Sequence, residues 1–283
     1  MINFNGRLQS SEDTFLSYFN RGFQSGDVLF EQIRLIDGKI VFWEEHYFRL
    51  MASMRILRMD IPMNFTMEYL QQEILTTISS NSSSENNAIV TLCVFRQTND
   101  NTKQSNQVSY LIEVNALSHS FYIINEETHE VEIFKDYALG KDMLSNLNTN
   151  NKLVDVIAEV FARENGYDDC LLLNESKEVV RFVHGALFLV NGTVIKTPAL
   201  SNGSKNTVIR SKLIDIISTL DDYTLEESSV SPFELQKADE MFILSIEKGI
   251  QPVTKYRKKK YKTEVAKDLL GKLNANVRLA SLK

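Results

Sequence analysis

Apolar residues recur at two different periods along this chain. Around Asp37-Gly38, the stretch DVLFEQIRLIDGKIVFW reads as two strands joined by a dipeptide that favours a tight hairpin turn. The period then lengthens. Trp43, Tyr47, Leu50, Met51, Met54 and Leu57 fall three and four apart, which predicts a helix with one buried face. TMEYLQQEILTTI repeats that spacing through Leu70, Ile74 and Ile78 and predicts a second helix. INFNG at the start predicts a short strand and a turn. AIVTLCVFRQ and VSYLIEVN predict strands, the first preceded by the polar loop at 79–87 and the two joined by a flexible linker at 98–106.

The pattern breaks at 116–120, which predicts a linker between domains at 1–115 and 121–283. The second half opens with extended segments, SFYIINEE and VEIFKDY. A helix is predicted over 151–164, with Leu153, Ile157, Val160 and Phe161 facing inward. CLLLNESKEVVRFV, ALFLVNGTVIKTP and MFILSI read as strands, and VIRSKLIDIISTL as a helix. In SPFELQKADE, Ser231 is a predicted N-cap, with Pro232 at the first helical position and Glu234 closing a capping box. The end of the chain predicts an amphipathic helix through Val265, Leu269, Leu273 and Val277. Strands of mixed or antiparallel order with interspersed helices give an α+β fold class.

Composition narrows the function. Of 283 residues, 43% are hydrophobic and 24% charged, enough apolar content for a substantial core. The formal net charge of −6 argues against nucleic acid or an anionic membrane as the main partner. No apolar run is long enough to span a bilayer, and no signal peptide is visible, so a cytoplasmic location is expected. Cys93 and Cys170 sit in apolar runs and are expected to be free thiols. His46, His119, His129 and His184 are scattered and predict no metal site; His46 is expected to be structural. Glu44 and Glu45 suit a helix start. The basic tract KYRKKKYK at 255–262 is expected to be a solvated strand or turn.

Several motifs are less generic. Gly22-Phe23, Gly26-Asp27, Phe30-Glu31, Arg34, Glu45-His46 and Arg49-Leu50 follow one another in NRGFQSGDVLFEQIRLIDGKIVFWEEHYFRL. Further on stand ENGYDDCLLLN, LFLVNGTVIKTP and ELQKADEMFILSIEKGIQPV. Together they resemble, in order and over essentially the whole chain, the class IV aminotransferases. That family includes branched-chain and D-amino acid aminotransferases and 4-amino-4-deoxychorismate lyase. The resemblance implies the two-domain fold type IV of pyridoxal phosphate enzymes, the second domain being of the cofactor-binding type. It also implies a homodimer.

The same resemblance implies a site and shows where this chain departs from it. The family's lysine, which forms a Schiff base with pyridoxal phosphate, falls seven residues before the position matched by Asp155. That position is Asn148, whose carboxamide forms no imine. The carboxylate that serves the pyridine nitrogen is matched by Arg181, which only donates hydrogen bonds. Ala186 takes a frequent asparagine, and Thr207 the glycine of the phosphate loop.

Arg49, Thr207, the N–H groups of Val208 and Ile209, and Ser245 remain as a candidate phosphate or anion site. The expectation is a class IV fold that has lost Schiff-base catalysis. It would not hold pyridoxal phosphate covalently, and its partner would be a small anionic or phosphorylated molecule. The alternative is an active lyase or aminotransferase using another lysine. Lys141 and Lys152 are the nearest in sequence, and both are expected to be surface charges.

Overall fold

A computed structural model describes residues 1–13, 16–81, 86–97 and 105–281, so the predicted loop at 79–87 and linker at 98–106 lie partly outside the described residues. The chain divides into two units. One comprises Met1–Phe121, Asn148–Asn151 and Val277–Lys283; the other comprises Tyr122–Leu147 and Lys152–Asn276.

The first unit is built on β1 (Ile2–Phe4), β2 (Arg7–Gln9), α1 (Arg21–Ser25), β3 (Val28–Ile36), β4 (Lys39–Ile40), α2 (Trp43–Ile56), α3 (Met67–Ser79), β5 (Ala88–Arg96) and β6 (Val108–Ala116). Its strands form one sheet in the order β2-β1-β6-β5-β3-β4, with every pairing antiparallel. The predicted hairpin closes at Asp37 and Gly38, with φ of 48° and 76°. Two successive positive values match the twist of the flanking strands. In α2, Trp43, His46, Leu50, Met51, Ser53 and Met54 are buried, and Glu44 and Glu45 occupy the first turn. Thr66 caps α3 by accepting from the Tyr69 N–H.

The second unit contains β7 (Glu130–Leu139), α4 (Leu153–Asn165), β8 (Asp169–Asn174), β9 (Val179–Phe182), β10 (Ala186–Asn191), β11 (Val194–Thr197), α5 (Val208–Ser218), β12 (Thr224–Glu227), α6 (Pro232–Lys237), β13 (Glu240–Ser245), β14 (Gly249–Val253), β15 (Lys255–Tyr256) and β16 (Lys259–Lys260). The last helix, α7 (Glu264–Ser281), begins in this unit. Two five-stranded sheets form, in the orders β12-β11-β10-β13-β14 and β16-β15-β7-β8-β9. Both sheets contribute to one core, which includes Val131, Leu171, Phe182, Leu187, Met241, Val253 and Tyr256. A second cluster joins α4 to β7 and β8 through Phe134, Ala158, Ala162, Cys170 and Leu172.

The capping box at Ser231 and Glu234 forms with both of its hydrogen bonds, and Pro232 stands at the start of α6. Leu269, Leu273 and Val277 are fully buried. Both cysteines are free, Cys170 buried and Cys93 half-buried. Gly185, just before β10, admits no larger residue, because a Cβ there would lie 2.6 Å from the Leu244 carbonyl oxygen.

Two expectations need correcting. SFYIINEE forms no strand, although Tyr122 within it is buried, with its N–H donating to Asn274 Oδ1 at 3.0 Å. The inward face of α4 is the one read at Ile157 and Phe161, which pack against the core, but not at Leu153, which is 72% exposed. Asp155, Ala158 and Ala162 are the buried positions, and an apolar count could not foresee a buried charge with a partner.

Candidate functional site

In the first unit, β3 turns Glu31 inward, where it is 1% exposed. His46 and Arg49 stand three apart on α2, on one helix face, and both reach that carboxylate. Nδ1 of His46 lies 2.5 Å from Glu31 Oε1. Arg49 spans both oxygens, with Nε 3.1 Å from Oε1 and Nη2 2.7 Å from Oε2. His46 is therefore structural, as expected, and lies buried against the Glu31 carboxylate. Arg49, expected to face an anion, is held by Glu31 with its side chain 13% exposed. At the start of the same strand, Asp27 accepts from Arg21 at 3.1 Å and Arg96 at 2.6 Å.

The segment Asn148–Asn151 runs beside the beginning of β3. The Phe30 N–H donates to the Asn148 carbonyl at 2.8 Å, and Thr149 bridges to Leu29. Asn150 accepts from the Val28 N–H at 3.2 Å and donates to the Gly22 carbonyl at 2.8 Å. The backbone of Asn148 is thus fixed against the residue that precedes Glu31. Its side chain is half-buried, and among the described residues it forms no hydrogen bond. Asn148 and Arg49, far apart in sequence, are brought onto neighbouring residues of one strand.

In the second unit, β9 carries Arg181 and the first turn of α4 carries Asp155. Nη1 of Arg181 lies 2.7 Å from Asp155 Oδ1, and Nη2 lies 2.9 Å from Oδ2. Nη1 also donates to the Phe182 carbonyl at 2.9 Å. Arg181 is 5% exposed and Asp155 8%. Burial alone raises the Asp155 carboxyl, but hydrogen bonds from Arg181 and its charge, with Lys205 and Lys152 nearby, hold it below the ordinary carboxylate range. Nζ of Lys205 is 3.8 Å from Asp155 Oδ1. Sequence reasoning missed both Asp155 as a partner and Lys205. No signal in the spacing marks Asp155, which lies away from the apolar positions of the predicted helix.

The other lysines stand elsewhere. Lys141 donates to Ser176 Oγ at 3.1 Å and Glu178 Oε2 at 3.3 Å, in an exposed cluster. Lys152 is the N-cap residue of α4. At the start of α5, Thr207 is the N-cap and its hydroxyl accepts from the Arg210 N–H. The N–H groups of Val208 and Ile209 lie in the first turn, ahead of the helix's own hydrogen-bond ladder. Ser245, at the end of β13, accepts from the Lys248 N–H at 3.1 Å. Ala186 pairs with Leu244 across the sheet.

His184 follows β9. Its Nδ1 lies 3.3 Å from Asp169 Oδ2 and its Nε2 3.8 Å from Glu159. The hydrogen bond to Asp169 raises its pKa against the opposing effect of burial. Burial lowers that of His129, which senses Asp168, Asp169, Lys248 and His184. Among the described residues, no group of three or more His, Cys, Asp or Glu side chains is placed to hold a metal ion. No described helix is long and apolar enough to cross a membrane.

Comparison with known proteins follows the same lines. The profile of the family "Amino-transferase class IV" matches residues 28–256. A Methanocaldococcus jannaschii protein assigned as a branched-chain-amino-acid aminotransferase is 27% identical over 257 residues, covering 89% of this chain and 86% of its own. A D-alanine aminotransferase of Staphylococcus epidermidis is 24% identical over 256 residues, covering 89% and 87%. Among solved structures, a branched-chain aminotransferase from Thermoproteus uzoniensis with norvaline superposes with a TM-score of 0.85 at 22% identity, covering 96% of this chain and 92% of that one.

Proposed function

We propose that this chain, which belongs to the class IV aminotransferase family, keeps the family's fold without its covalent chemistry and binds a small anionic or phosphorylated molecule instead. Members of the family use pyridoxal phosphate and are typically homodimers. The observation that carries the reading is the Arg181–Asp155 pair. The position matched to the pyridine-nitrogen carboxylate holds a guanidinium, and that guanidinium is already occupied by a carboxylate of α4. A ring nitrogen would find a donor there where it needs an acceptor.

At the position matched to the Schiff-base lysine, Asn148 offers only a carboxamide. The residues present therefore do not fit a covalently held pyridoxal phosphate, and no catalytic step is assigned to it. For an anion, the reading relies on the first-turn N–H groups of Val208 and Ile209 and on Ser245. Arg49, held by Glu31, is left out of this group. The reading takes the protein to be a cytoplasmic homodimer.

Two measurements test this. Thermal unfolding is followed with pyridoxal phosphate and with pyridoxine phosphate, which has the phosphate but no aldehyde. Equal stabilisation by the two is expected, since the aldehyde has nothing to react with. Amino transfer from a panel of L- and D-amino acids, and pyruvate release from aminodeoxychorismate, should both be undetectable. Turnover in either assay overturns the reading. A second reading, an active enzyme with another amine, would then fall on Lys205, the lysine nearest to the Asp155 carboxylate.

A further inference from the structure

Asparagine followed by glycine occurs four times in this chain, at residues 5–6, 165–166, 191–192 and 202–203. The step is chemically labile, because glycine has no side chain to hinder its nitrogen from attacking the amide before it. The attack needs a carboxamide that can swing toward the backbone, and three of the four are held. Asn5 Nδ2 donates to Ser109 Oγ at 3.0 Å, and its Oδ1 accepts from the Tyr110 N–H at 2.8 Å. Asn165 Nδ2 donates to the Phe161 carbonyl at 2.8 Å. Asn202 is buried, and its Nδ2 donates to Glu178 Oε2 at 2.9 Å.

Asn191 differs. It is exposed, and among the described residues its side chain forms no hydrogen bond. Exposure alone does not set it apart, since Asn5 and Asn165 are exposed too. Nor does the attacking nitrogen, because all four glycine N–H groups are bonded. Gly6 donates to Asn3 Oδ1 at 2.9 Å, Gly166 to the Arg163 carbonyl at 3.4 Å, Gly192 to Asp239 Oδ2 at 2.9 Å and Gly203 to the Leu200 carbonyl at 3.0 Å. What distinguishes position 191 is the unheld amide. The turn around it is also open: a Cβ added to Gly192 would meet nothing within 4 Å.

We infer that Asn191 is a site of spontaneous deamidation, and the Asn-Gly step at which the folded protein is modified first. Hydroxide takes the Gly192 N–H proton, and the nitrogen bonds to Asn191 Cγ. The bond from Cγ to Nδ2 breaks, and the nitrogen leaves as ammonia with a proton from water. Water then opens the five-membered imide. Opening at Cγ gives aspartate; opening at the main-chain carbonyl gives isoaspartate.

Both products change the hairpin. Each adds a carboxylate in the turn where Asp239 already holds the Gly192 N–H, and takes the formal net charge of −6 one unit further negative. Isoaspartate also lengthens the main chain by one carbon at the Asn191–Val194 pair, the last of the β10–β11 ladder.

The test ages the intact protein at mildly alkaline pH, beside a second sample unfolded in urea. Peptide mass spectrometry follows the four Asn-Gly steps, and enzymatic methylation marks isoaspartate. In the folded protein Asn191 is expected to convert about tenfold faster than Asn5, Asn165 or Asn202, the factor for an amide released from one hydrogen bond. In urea the four should convert at similar rates. N191Q should remove the acidic species that appears first on ion exchange. A folded Asn191 that converts no faster than the other three overturns the inference, as does an early acidic species that persists in N191Q. So does an Asn191 that stays intact in the folded protein while it converts in urea, since the fold then shields this turn as well.

Discussion

The guanidinium of Arg181 and the carboxylate of Asp155 meet through two parallel hydrogen bonds of 2.7 and 2.9 Å, out of reach of solvent. A buried cation on β9 is tolerable only because α4 supplies its counter-charge. Removing one partner strands the other. Asp155→Asn is expected to cost about 3–5 kcal/mol in urea unfolding, whereas D155L/R181M should cost much less. The Asp155 pKa is depressed by the pair, so this stability is present above the unfolded carboxylate pKa of about 3.9. It is lost as pH falls through the lower folded value. The gap between wild type and D155N should therefore close in acid.

His184 and His129 should respond to pH in opposite senses. The folded pKa of His184 is raised, so its contribution is complete below the unfolded value of about 6.5 and fades as pH climbs through the folded one. His184→Gln should destabilise more at pH 5.5 than at pH 8.5. His129 has a lowered folded pKa, so its contribution is present above about 6.5 and is lost as pH falls through the folded value. His129→Gln should be relatively better tolerated in acid. Thermal unfolding across that range reads both; parallel profiles would remove the Asp169 contact as the cause.

Thr207 tests how α5 begins. Its hydroxyl caps the helix, so Thr207→Ala should cost about 1 kcal/mol in chemical denaturation, and Thr207→Gly only a few tenths. An alanine variant as stable as wild type would show that the cap carries no weight.

If Asn148 stands at the family's lysine position, as proposed, Asn148→Lys supplies an amine there but leaves Arg181 in place. It should acquire a borohydride-reducible pyridoxyl group without measurable amino transfer. R181E alone would set two carboxylates against each other beside α4, so N148K/R181E/D155N is the variant expected to gain activity. Full activity in N148K alone would show that Arg181 is neutral.

Much of this architecture was legible in the sequence because its signals are local. Asp37-Gly38 fixes a hairpin, Ser231 and Glu234 close a capping box, and Leu269, Leu273 and Val277 mark a buried stripe. The family resemblance proposes Asn148, Arg181 and Thr207 as site positions. What stayed hidden were partnerships across the chain. Asp155 is 26 residues from Arg181, and nothing in the spacing of α4 announces a buried charge. Arg49 reads as a residue aimed at an anion until β3 brings Glu31 beside it. The basic tract at 255–262, read as a solvated strand or turn, forms the β15–β16 hairpin with Lys258, Lys260 and Lys262 exposed, but its ion pairs to Glu130 and Glu132 were not legible from the tract itself.

The most direct measurement is mass spectrometry of the purified protein after incubation with pyridoxal phosphate and reduction with borohydride. The protein should carry no stoichiometric pyridoxyl adduct and keep no yellow colour through gel filtration. One pyridoxyl group per chain, mapped to a single lysine such as Lys205, would contradict a fold without covalent cofactor chemistry.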